Sequence, residues 1–91
     1  MTIVKLTGHI DVPDTDIEIV EKYAPEHIRL SRAEPGCLKF DFWQDAENPN
    51  IYRLDEAFKD REAFDLHTAR AKASKWGKVS SHLVRHFTME E

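Results

Sequence analysis

A single cysteine, Cys37, stands in a chain of 91 residues, so no internal disulfide can form and the fold must rest on packing, with burial against a second subunit a natural supplement. No apolar run approaches the roughly 20 residues that a membrane-crossing helix needs, which excludes a spanning segment of that kind. Positive charge is also short. Thirteen Lys and Arg face 17 Asp and Glu, a formal −4, and this leaves no basic footprint for a nucleic acid. The three glycines, Gly8, Gly36 and Gly77, are scattered and build neither a phosphate-cradling loop nor a dinucleotide fingerprint, so no nucleotide cofactor is expected. Met1 to Gly8 alternate in polarity where a signal peptide would be uniformly apolar, and the expected location is the cytoplasm.

What is present fits one soluble domain over residues 1–91, with 41% hydrophobic and 33% charged residues. Val4, Leu6, Ile10 and Val12 alternate with Lys5, Thr7, His9 and Asp11, the period of a half-buried strand. Thr15 and Glu18 have capping-box spacing ahead of Ile17, Val20, Ala24, Ile28 and Ser31, which predicts a helix over about residues 15–33, kinked or briefly broken near Ala24 by Pro25. Glu34-Pro35-Gly36 stops that helix, and a second strand begins near Cys37 with Leu38, Phe40 and Phe42 on one side. The polar segment Asp45 to Asn50 is a hairpin loop, and Ile51 to Phe58 is the returning strand. Asp60 can cap a second helix with Phe64, His67 and Ala71 inward and Arg61, Glu62, Asp65 and Arg70 in water; Ala71 to Val79 continues it or forms a separate turn broken at Gly77. A closing strand is predicted over His82 to Met89.

That order, β-α-β-β-α-β, predicts an α+β fold of the ferredoxin-like kind, a four-stranded antiparallel sheet with both helices on one face. The other face would carry Lys5, Thr7, His9, Lys39, Asp41, Trp43, Arg53 and Asp55. A surface of that mixed polarity, with an indole in it, points to a homodimer joined through its sheet faces.

Five histidines raise the question of a metal. His82 and His86 are four positions apart, which on a strand is roughly 13 Å and too far to share an ion. His9 and His27 lie on different elements without an accompanying ligand pattern, so no metal site is expected. Cys37 has no neighbour that would activate its thiol and reads as packing. His67 faces the space between helices and sheet, where Phe40, Phe42, Tyr52 and Leu54 form an aromatic wall. It is either a core histidine bonded to a carbonyl or a tyrosine, or a general base kept uncharged by apolar rings. Glu56 shares the strand face of Tyr52 and Leu54; a pair with a basic residue such as Arg85 is its expected use, and a place in the pocket is the alternative. Trp76 reads as a lid or core anchor and Trp43 as interface.

The run Arg32-Ala33-Glu34-Pro35-Gly36-Cys37-Leu38, then Phe40-Asp41, the Asp45…Asn48-Pro49 hairpin, Glu56 and Asp60…Ala63-Phe64…His67, resembles the antibiotic biosynthesis monooxygenase family over about residues 3–88. The resemblance implies a dimeric α+β barrel of two ferredoxin-like protomers. Similar members oxidise polycyclic phenols or hydroquinones to quinones with dioxygen and without flavin, haem or metal. By the same resemblance His67 is the proton acceptor, with Phe40, Phe42, Tyr52, Phe64, Trp76 and Glu56 around a small aromatic substrate. The haem-degrading branch is set aside, because the first strand has no asparagine and His67 stands where that branch carries tryptophan. Where many relatives have a second histidine along the second helix, this chain has Ala71-Lys72-Ala73-Ser74-Lys75. The function expected is therefore a cofactor-independent monooxygenase. The rivals are a non-catalytic dimer that binds a small hydrophobic molecule, and an isomerase or lyase of the same fold, which would need Arg53, Arg85 or lysines turned into the pocket to hold a phosphate.

Overall fold

Alternating burial along Val4–Asp11 sets up the first strand, β1, of a computed structural model that describes residues 2–91. It is followed by α1 (Asp14–Arg32), β2 (Cys37–Gln44), β3 (Ile51–Phe58), α2 (Arg61–Ala73), a short α3 (Lys75–Val79) and β4 (Val84–Glu90). The strands lie in the order β2-β3-β1-β4 and every neighbouring pair is antiparallel. This is the ferredoxin-like α+β fold that the element order predicts. Val20 and Ala24 of α1 and Trp76 of α3 pack on Ile10, Val12, Tyr52 and Leu54 to make the core. Among the described residues no helix is long and apolar enough to cross a membrane.

Several local expectations shift. The capping box of Thr15 and Glu18 is not used: α1 starts at Asp14 with Pro13 in the cap position and no side-chain cap bond. Asn50 instead ties this end down, its Nδ2 donating to Val12 O and Asp14 Oδ1 at 2.8 Å each. The helix also runs through Pro25 without a break. Pro25 is on the exposed side, where water can satisfy the Glu21 carbonyl that loses its amide donor. The break between α2 and α3 falls at Ser74 and not at Gly77, because Ser74 is extended and its Oγ accepts from Gly77 N. His82 precedes β4, which begins at Val84.

Two glycines fix how the layers meet. Gly8 has φ +148°, and a Cβ there would stand 2.0 Å from the His86 carbonyl oxygen, so β1 and β4 approach as they do only around glycine. At Gly36 a Cβ would lie 2.3 Å from Ala63 Cβ, which lets the start of β2 press against α2 and brings Glu34 beside that helix. Asp60 caps α2 as predicted, its Oδ1 accepting from Ala63 N at 2.8 Å.

Candidate functional site

Between the helices and the sheet lies a cavity of about 400 Å³, within the usual size range of small-molecule sites. Phe40 and Phe42 of β2, Glu56 of β3, Phe64 and His67 of α2 and Trp76 of α3 all stand on its wall. Tyr52 does not. It lies one layer deeper, in the core cluster, with its ring stacked 5.6 Å from that of Phe42, which covers it from the cavity side.

His67 is 6% exposed, and its ring lies 4.8 Å from Phe58 and 5.5 Å from Phe40, centroid to centroid. Its Nδ1 stands 2.7 Å from Glu34 Oε1. The other Glu34 oxygen accepts from Arg70 Nε at 3.1 Å, Arg70 Nη2 donates to Ser31 Oγ at 2.8 Å, and Ser31 Oγ donates to the His27 carbonyl at 2.7 Å. A chain of hydrogen bonds thus runs from α1 to α2 and ends at the imidazole. With Glu34 as an acceptor, Nδ1 carries the proton and Nε2 keeps the lone pair, the tautomer assigned from the bond partners. Nε2 faces Glu56 Oε1 at 3.6 Å, too long for a direct hydrogen bond.

Arg70 is therefore not left to water, as the helix pattern suggests, but is the cation that holds Glu34 in place. The expected pair between Glu56 and Arg85 is absent as well. Arg85 turns to the end of α3, where Nη1 donates to the Ser80 and Leu83 carbonyls at 2.9 and 3.1 Å and Nη2 to Ser80 Oγ at 2.9 Å. Those carbonyls take the guanidinium, so among the described residues Glu56, at 4% exposure, has no arginine or lysine partner, and its Oε1 accepts no hydrogen bond.

Burial without a counter-charge pushes the Glu56 carboxyl up to about 8, with the nearby charges of Glu34 and Asp55 adding to the effect. His67 moves the other way. Burial lowers it, the hydrogen bond and charge of Glu34 pull it back up in part, and Arg70 lowers it further. His27 stacks on Trp76 with ring centroids 5.6 Å apart, and burial first, then the charges of Arg70, His67 and Arg85, hold it down at about 3. At neutral pH the wall of the cavity thus carries a protonated carboxylic acid and unprotonated imidazoles. Cys37 is outside this group; burial raises its thiol and its Sγ lies 3.5 Å from the Lys39 carbonyl, as befits a packing residue.

The sequence reading missed His27, Ser31, Glu34 and Arg70 as parts of the site. His27 and Ser31 were within reach, since they extend the inward series of Val20 and Ala24 at helical spacing. Glu34 reads as helix punctuation, and nothing local shows that the chain reversal at Gly36 carries it to α2.

This pocket, on this fold, bears on the kinship of the chain. A family model described as antibiotic biosynthesis monooxygenase matches residues 3–79. The chain belongs to that family. An uncharacterized protein of Synechocystis is 33% identical over 63 residues, covering 68% of this chain and 42% of its own length, so the chain spans less than half of that relative. A solved structure from Nitrosomonas europaea that bears the antibiotic biosynthesis monooxygenase name superposes with a TM-score of 0.85 at 22% identity, over 97% of this chain and 88% of the other. Another of that name, from Bacteroides thetaiotaomicron, gives 0.79 at 26% identity, over 98% and 85%. At this identity these likenesses speak chiefly for the fold.

Proposed function

We propose that the protein is a cofactor-independent monooxygenase that converts a small phenol or hydroquinone into a quinone with dioxygen. The observation that carries this reading is the His67 imidazole, tied at Nδ1 to Glu34 and presenting a free Nε2 to an aromatic-walled cavity. A base needs an unprotonated acceptor within reach of the substrate and a partner that stabilises it once it is charged; Glu34 supplies the second.

The phenolic proton passes to His67 Nε2. The resulting phenolate is electron-rich enough to give one electron to dioxygen, and the two radicals combine at a ring carbon to form a peroxide. Cleavage of the O–O bond leaves one oxygen on the ring as a carbonyl, and the ring carbon gives up its hydrogen. The second oxygen departs as water with the two hydrogens taken from the substrate, so the substrate supplies both electrons. Glu56, an acid below about 8, gives the departing oxygen one proton and recovers it from the imidazolium at His67 Nε2, 3.6 Å away, while the ring hydrogen supplies the other, so both residues end as they began. The exclusion of bulk water by the Phe40, Phe42 and Trp76 rings favours the neutral base and protects the peroxide.

Oxygen uptake by metal-stripped protein across a panel of hydroquinones tests the proposal. The expected result is uptake that falls by roughly 10²–10⁴ in His67→Ala. It should also decline above pH 8 as Glu56 ionises, with that decline absent in Glu56→Gln. Uptake unchanged in His67→Ala removes the assigned base.

The proposal extends to a homodimer joined through the open sheet face, which fits the exposed Trp43 and Val84 there, and to a cytoplasmic setting. A second reading, an isomerase or lyase for an anionic substrate, draws support from Arg85 and Lys72 on the cavity wall, though Arg53 faces away and pairs with Asp45 at 2.8 Å. Turnover of a sugar phosphate with no oxygen consumed would favour it.

A further inference from the structure

We infer that the guest of the His67 cavity is an aromatic acid, a phenol or hydroquinone whose ring bears a carboxylate, and that Arg85 takes this carboxylate at the cavity mouth. The hydroxylated ring rests on the oxidative reading above; the carboxylate rests on charge, depth and the donors that Arg85 leaves unused.

Five side chains on the cavity wall can carry a charge, namely His27, Glu56, His67, Lys72 and Arg85. Burial is the main reason that the first three are neutral at neutral pH, since it pushes Glu56 up to about 8, holds His27 at about 3 and lowers His67. Lys72 and Arg85 keep their charges, and among the described residues neither forms an ion pair. The wall is thus doubly positive in a chain of formal charge −4, an excess that a neutral phenol would leave without a counter-ion.

The charges are also sorted by depth. His67 and Glu56 are buried on the floor of the cavity, while Lys72 and Arg85 are exposed at its mouth. Glu56 pairs with Leu6 of β1 and Arg85 with Ile10, four positions further along the same strand, or roughly 13 Å. Arg85 therefore meets a part of the guest remote from the hydroxyl at His67. That separation suits a permanent anion on the guest better than charge developing at the reacting oxygen.

The guanidinium is held ready. Its Nη1 spends both donors on the Ser80 and Leu83 carbonyls, and Nη2 spends one on Ser80 Oγ. Ser80 is itself fixed, fully buried with its Oγ donating to the Trp76 carbonyl at 2.6 Å. Of the five N–H groups, the one on Nε and one on Nη2 stay uncommitted among the described residues. These are neighbouring donors that match the two oxygens of a planar carboxylate, and a side chain already clamped loses little freedom when it binds one. Arg85 rises with Ile10 on the helix side of the sheet and its neighbours Val84 and His86 on the other, so the proposed dimer leaves this mouth uncovered.

Calorimetry without oxygen tests the inference, with two probes that share one ring: a hydroquinone bearing a propanoate arm, and the methyl ester of the same compound. The unaltered chain should bind the acid roughly 10–100-fold more tightly than the ester. Arg85→Gln should bring the two affinities together, and Arg85→Lys should keep part of the difference. Circular dichroism would first establish that each variant is folded, and the comparison of acid with ester in the unaltered chain needs no variant at all. Equal affinities there, or a preference for the acid that survives Arg85→Gln, overturn the assignment. Tighter binding of ribose phosphate than of the aromatic acid also overturns it. Because no oxygen is consumed in this measurement, a preference for the acid in a protein that takes up no oxygen would uphold the anion site and remove only the oxidative reading.

Discussion

Glu56, His27 and His67 are held in their uncharged forms inside one small protein, and this sets how its stability responds to pH. His27 stands at about 3 against an ordinary 6.5, so the unfolded chain binds the extra proton between those values and stability is lost as pH falls through that range. His67, also lowered, adds to the same limb. Glu56 stands at about 8 against an ordinary 4.5; here the folded chain holds the extra proton and stability declines as pH rises from 4.5 to 8. The two slopes oppose each other between 4.5 and 6.5, so urea denaturation across pH should show greatest stability there. On the alkaline side the slope approaches its one-proton limit of about 1.4 kcal/mol per pH unit. Glu56→Gln should abolish that alkaline limb alone. Glu34→Gln tests the positioning of His67. Arg70 would then stand uncompensated beside the imidazole, lowering the rate of oxygen uptake by roughly 10–100-fold. The acid limb of the rate profile should move to lower pH, a shift that mere loosening of the fold would not give.

Among the elements, β1 is held on both sides, and its contact with β4 turns on Gly8. A side chain there meets both an unfavourable φ and the His86 carbonyl, so Gly8→Ala should cost about 1–3 kcal/mol in chemical denaturation. It should also loosen the β4 amides in hydrogen exchange before those of β3. Helix α2 depends on its first turn. Asp60→Ala removes the acceptor for Ala63 N and should cost about 1 kcal/mol, while Asp60→Asn should retain most of the stability. The element predictions from sequence were closest where one periodicity ran unbroken, as in β3, whose bounds agree residue for residue. They slipped at α1, where a capping signal one residue inside the true start lost to the Asn50 bonds that arrive from the β2–β3 loop.

For the whole molecule, the proposed dimer turns on the open sheet face. Lys39 and Asp55 pair across it at 2.7 Å, yet Trp43 is 46% and Val84 56% exposed on the same side. Light scattering coupled to size exclusion should find the unaltered chain as a dimer, and Trp43→Asp should shift it toward monomer with its circular dichroism unchanged. A monomeric wild type would remove the sheet-to-sheet pairing and leave the cavity and the fold as they stand.

Element order, the direction of the apolar side of β1, β2 and β3 and the inward stripe of α2 were all legible along the chain, because periodicity and caps are properties of neighbours in sequence; the apolar side of β4 was not. His67 could be placed on the inner face for that reason. What the imidazole touches could not be read this way, since Glu34 lies 33 positions away and is brought close only by the reversal at Gly36 and the docking of α2. The same holds for Asp11 and His86, 75 positions apart, which meet through strand register. Charge states followed from these encounters: a carboxyl left without a cation in an apolar wall stays protonated, and only the packed fold determines which carboxyl that is.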